Sequence, residues 1–239
     1  EFLSFLMGYS FYEVYTTAQR AFSGMGFPHG ADEDAAFIIA WLELNNLQGI
    51  KRLSDSISIL DNQFEGILNI KDNDQKIDLN HQSILMKGPG IIDYFGSLLE
   101  SREKIILTLV NCSDPFLFLP LLYKSSSQIL FSQLIFYHSE NEINIHQVTK
   151  KKILIGKSNK KNLFAQNQVK IILSNQKNIS IIDNIEKEIT DESVQKNLAL
   201  SLEPDMPAWD KISKIAYRIF VPESEESRNL GAGGGDDND

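Results

Sequence analysis

Cysteine is nearly absent from this chain of 239 residues: Cys112 stands alone. A single thiol excludes an internal disulfide and any zinc site built on cysteine pairs. It agrees with a reducing compartment, so a cytoplasmic location is expected. Long apolar runs are missing too. The most apolar stretch, residues 105–123, is broken by Asn111, Asp114, Pro115 and Pro120. Hydrocarbon would leave those groups unsatisfied, so no membrane partner is expected. The opening residues 1–7 are apolar but short, with no basic residue ahead of them, which predicts no secretory leader. Without one, the Asn-X-Ser triplets at Asn111 and Asn178 carry no glycosylation meaning.

Positive charge is in deficit. Lys and Arg number 23 against 32 Asp and Glu, a formal net charge of −9. Such a surface repels polyanions, so nucleic acid is not an expected partner. The exception is residues 150–170, where Lys150, Lys151, Lys152, Lys157, Lys160, Lys161 and Lys170 occur with no acidic residue. With only Phe164 to stack a base and no arginine fork, the segment reads as a solvated hairpin whose lysines guard strand edges.

Catalytic signatures are also missing. Gly156-Lys157-Ser158 resembles the end of a phosphate loop, but Lys151 occupies the place of the required earlier glycine, so a turn is expected. Ser158 with Lys161, and Ser101 with Lys104, match Ser-X-X-Lys without any partner motif. Asp72-Asn73-Asp74 opens like a calcium loop, yet Lys76 takes the next ligand position and no glycine follows. The histidines His29, His81, His138 and His146 show no ligand spacing and read as surface or structural. No metal site is expected, and no cofactor follows from any motif.

What is present is a well-patterned α+β chain, 42% hydrophobic. Ser10 and Glu13 form a capping box, followed by Phe11, Val14, Tyr15, Ala18 and Phe22 at helical spacing. A second helix begins near Asp32-Glu33-Asp34 and buries Ala35, Ile38, Ile39 and Leu42; residues 50–60 supply a third. Near residue 60 the period falls to two. Strands are predicted over residues 83–87, 104–111, 128–138, 143–148, 169–173 and 179–182, with a hairpin turn at 139–142. Gly88-Pro89-Gly90 reads as a turn leading to a helix over 91–100. A last helix starts by Pro207, carries Trp209, Ile212, Ile215, Ala216 and Ile219, and stops at Val221-Pro222.

The expected architecture is an N-terminal helical layer on a largely antiparallel sheet, then a C-terminal helix and a Gly-rich acidic tail. The expected organisation is one domain over residues 1–222, mainly helical to 60, mainly sheet over 61–200 and helical over 205–221. Residues 223–239 form the tail.

Both ends carry a family pattern. Ser10, Glu13-Val14, Ala18, Arg20-Ala21, Gly24, Gly26, Glu33-Asp34-Ala35, Trp41-Leu42 and Gly49 mark the opening. Trp209, Ala216-Tyr217-Arg218, residues 221–228, Gly231-Ala232-Gly233 and Asp237-Asn238-Asp239 mark the close. Together they resemble an uncharacterised family, a domain of unknown function common in alphaproteobacteria. His29 departs from it, standing where an aromatic is expected. The resemblance implies a bacterial source and a tail that belongs to the protein. It implies no activity.

Two functional readings remain open, and the sequence does not decide whether the protein is an enzyme. In the first, the protein binds or converts a small molecule of bacterial metabolism. Ser227 and Arg228 would then hold an anionic group, Gly231 and Gly233 would admit a ligand close to the backbone, and Asp236, Asp237 and Asp239 would supply carboxylates. In the second, it is a non-catalytic assembly or accessory subunit whose tail docks into a partner protein or a second copy of itself.

Overall fold

The first helix, α1 (Phe11–Gly24), begins as its sequence directs. The Ser10 hydroxyl accepts from the Glu13 amide at 3.2 Å, and the Glu13 carboxylate accepts from the Ser10 amide at 2.7 Å. These bonds satisfy amides that a helix start leaves without partners. The Ser10 amide, and next the Ser10 hydroxyl donating to the same carboxylate at 2.8 Å, hold the Glu13 carboxyl below its ordinary range. Helix α2 (Ala31–Leu44) is apolar on almost every side and is buried among the other helices. Helix α3 (Gly49–Leu60) has no cap of its own, because Gln48 makes no capping bond. The buried Glu43 carboxylate of α2 accepts the Ile50 amide at 2.9 Å and does that work. Burial raises the Glu43 pKa.

The computed structural model describes residues 8–68, 70, 75–139, 142–150, 152–159, 167–176 and 182–220. After α3 come β1 (Lys76–Asp78), α4 (Ile84–Leu98), β2 (Lys104–Val110), a 3-10 turn (Pro115–Leu117) and α5 (Phe118–Ser125). Strands β3 (Phe131–Ser139), β4 (Glu142–Thr149), β5 (Lys152–Ser158), β6 (Gln168–Ser174) and β7 (Asn184–Thr190) follow, then α6 (Asp191–Leu198) and α7 (Met206–Ala216). The strands form a seven-stranded sheet in the order β1-β2-β6-β3-β4-β5-β7. Only β1 and β2 run parallel; the remaining pairs are antiparallel. The fold is therefore α+β, with the expected N-terminal helices and the expected β3–β4 hairpin. Among the described residues no helix is long and apolar enough to cross a membrane.

One continuous apolar core joins the helices to one face of the sheet. It takes Phe22 and Trp41 from the helices, Leu107, Leu134, Val148 and Ile171 from the strands, and Trp209 and Ile212 from α7. On the opposite face Ile135, Ile143 and Ile145 make a small second cluster with Tyr137, Ile172 and Ile182.

Three local expectations are corrected. Residues 83–87 are not a strand, and Gly88-Pro89-Gly90 is not a turn. All lie at the start of α4, where the Ser83 hydroxyl accepts the Leu85 amide. Pro89 forfeits one helical hydrogen bond there. Gly88 is small for a packing reason: a Cβ at this position would sit 2.5 Å from Ile84 Cγ2 one turn back and 2.9 Å from Leu121 Cδ1 of α5. Residues 156–158 are likewise not a turn but the end of β5, paired with β4 on one side and, for residues 156 and 157, with β7 on the other. The third correction concerns the lysines. Lys152 meets Glu188 at 2.8 Å and Lys157 meets Glu186 at 2.9 Å, so β5 is an inner strand whose cations are neutralised by β7. Strands β1 and β7 and helices α5 and α6 add to the expected elements. Residues 179–181 of the expected strand lie outside the described residues, and Ile182 falls in no strand. The Asp72–Asp74 turn is outside them as well.

Candidate functional site

Polar side chains converge where β1 and β2 end. There the chain makes sharp left-handed turns at non-glycine residues: Asn80 (φ 48°), His81 (φ 60°) and Asn111 (φ 55°). Each such residue costs roughly 1 kcal/mol of backbone strain, and strain of this kind gathers where geometry is used. Asp78 holds the turns together. Its Oδ1 accepts the Asn80 amide and the Asn111 side-chain amide, both at 2.8 Å. Those bonds, the Asn80 amide first, lower the Asp78 pKa.

Beside this junction opens a cavity of about 490 Å³, lined in part by Arg52, Asn111, Asp114, Phe116, Phe136 and Tyr137. The loop after β2 forms one wall. The Asp114 carboxylate caps the 3-10 turn by accepting the Phe116 amide at 3.2 Å, with Pro115 at its first position. This is the Asp-Pro start that short helical turns favour.

Arg52 is the most tightly held side chain of the wall. Its Nε donates to the Leu47 carbonyl at 2.9 Å, and its Nη1 reaches the Asp114 oxygens at 2.7 and 2.6 Å. The guanidinium carbon stands 4.6 Å from the centre of the Phe116 ring. These contacts fix the fork in one plane while leaving Nη2 without a hydrogen bond among the described residues. A planar, permanently charged donor with one free edge is suited to receive an anionic oxygen. Cys112 also lines the cavity, but burial, and next the charge of Asp114, push its thiol up to about 12, so it is no nucleophile at neutral pH. His81 is on the exposed rim.

Behind the cavity wall is His146 of β4. Its ring is 5.0 Å from Phe116 and 5.3 Å from Phe136, centre to centre, and only 1% exposed. Neither ring nitrogen makes a well-formed hydrogen bond among the described residues, although the Ile145 backbone lies close enough to favour the protonated ring. Burial lowers its pKa to about 4, so the imidazole is neutral near pH 7.

Ser227, Arg228, Gly231, Gly233, Asp236, Asp237 and Asp239 lie outside the described residues. His29 is exposed, 3.8 Å from Glu33, and His138 lies 3.7 Å from Glu142. His29, Asp32 and Glu33 bring ligating atoms within 4.8 Å of one another. The Asp32 oxygens, however, already accept from Ser23 Oγ, the Gly30 amide and the Glu33 amide, which commits that carboxylate to the start of α2. The reading of each histidine as surface or structural overlooked the isolation of His146. Alternation along β4 places that residue on the helix-facing side, and this was the available signal.

Residues 9–83 match the model of a protein family of unknown function, DUF3726. The match contains α1 to α3 and therefore Arg52. No curated protein matches the sequence. Solved structures with a similar fold exist. A dehydrogenase from Sinorhizobium meliloti superposes with a TM-score of 0.61 at 9% identity, covering 88% of this chain and 99% of that one. The malate dehydrogenase of Entamoeba histolytica gives 0.59 at 7% identity, covering 91% and 99%. The sulfolactate dehydrogenase of Methanocaldococcus jannaschii gives 0.56 at 9% identity, covering 87% and 96%. At such identities the likeness is one of fold.

Proposed function

We propose that the protein binds a small organic carboxylate in the cavity at the ends of β1 and β2, with Arg52 as the anion anchor. The observation that carries this reading is the clamped guanidinium. Leu47, Asp114 and Phe116 hold it in the lining of a cavity of metabolite size, and its Nη2 has no hydrogen bond among the described residues. A group ordered in advance loses little entropy when it binds. The named fold neighbours add support of a weaker kind, since malate and sulfolactate are both small carboxylates.

Asn111 supplies a second polar group, and its left-handed backbone places it beside the loop that carries Asp114. Phe116 and Phe136 give the carbon skeleton an apolar wall, an arrangement usual in metabolite sites. The tail belongs to the same proposal as a cover for the site. Arg228 would add a second fork, while Gly231 and Gly233 would let the backbone close over the ligand.

Calorimetric titration of the full chain with L-malate and with oxalate tests the reading. Binding that disappears in Arg52→Met and weakens in Arg52→Lys is the expected result. Unchanged binding in Arg52→Met, or no binding of either probe, overturns it. The same titration on a chain ending at Pro222 tests the tail: unchanged affinity removes residues 223–239 from the site.

A further inference from the structure

His146 buries two ring nitrogens that make no well-formed hydrogen bond among the described residues. Across β4 it faces Leu134 of β3 and Ile155 of β5, both buried and apolar. Above it lie the rings of Phe116 and Phe136. A neutral imidazole carries one donor and one acceptor, and burying both without partners is unfavourable. Replacing the ring by an apolar residue would remove that penalty, so packing alone does not account for a histidine here.

What separates His146 from the cavity is aromatic. Phe116 and Phe136 both line the cavity and both touch the imidazole; their own ring centres are 5.5 Å apart. Phe116 is the less constrained of the two. It is only partly buried and sits on a 3-10 turn of three residues, whereas Phe136 lies within β3. Its position depends on the Arg52 guanidinium stacked over it, the same group that offers its free edge to an anion.

We propose that His146 is a ligand-contacting residue of this cavity, reached when the Phe116 ring moves aside on anion binding. The proposal rests on the reading of Arg52 as the anchor. An anion drawn to Nη2 competes with the Phe116 ring for the guanidinium. The displaced ring uncovers the imidazole, which then hydrogen-bonds a second oxygen of the ligand, carboxylate, hydroxyl or carbonyl. Near neutral pH the ring is uncharged and offers both a donor and an acceptor.

The test uses the unmutated full chain labelled with 15N in histidine, its resonances assigned with single His→Gln variants, and L-malate as the probe with oxalate as a smaller dianion. On saturation, a ring nitrogen of His146 is expected to shift while those of His29 and His138 stay still. His146→Phe is expected to weaken L-malate binding roughly three- to tenfold, the range for one lost hydrogen bond, while its melting temperature holds or rises. A residue of purely structural importance would not lose affinity while keeping stability. If L-malate binds in an Arg52-dependent way but the His146 nitrogens do not respond, or if His146→Phe binds as tightly as the unmutated chain, the inference fails and the Arg52 reading stands. If neither probe binds, both fail together.

Discussion

Arg52 of α3 and Asp114, which are 62 positions apart in sequence, meet through one guanidinium nitrogen placed 2.7 and 2.6 Å from the two carboxylate oxygens. The pair ties the helical layer to the loop that follows β2. Each member has a second task, Asp114 capping the 3-10 turn and Arg52 backing the Phe116 ring. The connection between the helices and the sheet is thus also a wall of the cavity.

Removing this link should be felt in stability as well as binding. Arg52→Met is expected to lower stability by about 1–2 kcal/mol, a modest figure because both side chains retain some exposure to water. Urea unfolding of the variant beside Asp114→Asn and the double variant would show coupling between the two sites. Strictly additive losses would mean that the pair contributes nothing of its own.

Gly49 should tolerate no side chain. A Cβ there would collide with the Ile39 carbonyl oxygen and stand 2.9 Å from the Glu43 amide, both backbone atoms of α2. Gly49→Ala is therefore expected to destabilise by roughly 2–3 kcal/mol through forced separation of α2 and α3. The change also displaces Arg52, so carboxylate binding should fall with it. A melting temperature equal to that of the unmutated chain would contradict the close approach.

Acid should act through His146. Its folded pKa, about 4, lies below the ordinary 6.5, chiefly because of burial, with the Ile145 backbone and the charge of Glu186 opposing it. The unfolded chain then binds the extra proton first, so stability rises with pH through this window. The contribution is complete above about pH 6.5 and is lost as pH falls towards 4, a span worth roughly 3 kcal/mol. Unfolding free energies measured between pH 4 and 7 should fall less steeply in His146→Phe. Equal slopes in the two proteins would refute the assignment.

Cys112 should be sluggish towards iodoacetamide. With its thiol pushed up to about 12, the thiolate fraction at pH 8 is very small. Labelling followed by mass spectrometry should be slow in buffer and fast in urea. Asp114→Asn, which removes the second cause of the shift, should accelerate native labelling.

Residues 1–222 are proposed to unfold as one unit, because a single apolar core runs from Val14 through Leu134 to Ile212. Denaturation followed by tryptophan fluorescence and by far-ultraviolet dichroism should give coincident transitions, both tryptophans being buried. Two separated transitions would divide the chain.

The sequence by itself determined whatever depends on neighbours along the chain. The Ser10–Glu13 box, the apolar faces of α1 and α7, the β3–β4 hairpin and the limits set by one cysteine are all local facts of residue type and spacing. Tertiary structure decided the rest. Residues 83–87 are apolar enough for a strand, and the contact of Gly88 with Leu121 on α5 is what accompanies their choice of helix. Strand β7, read as Asn-Ile-Glu-Lys-Glu-Ile-Thr, looks like a charged loop until Glu186 and Glu188 meet the lysines of β5. The candidate site was hidden for the same reason. Arg52, Asn111, Asp114, Phe116 and His146 come from α3, the loop after β2 and β4, and no single segment carries their pattern. A lone arginine or histidine has no chemical meaning in sequence until folding selects its partners or, as at His146, withholds them.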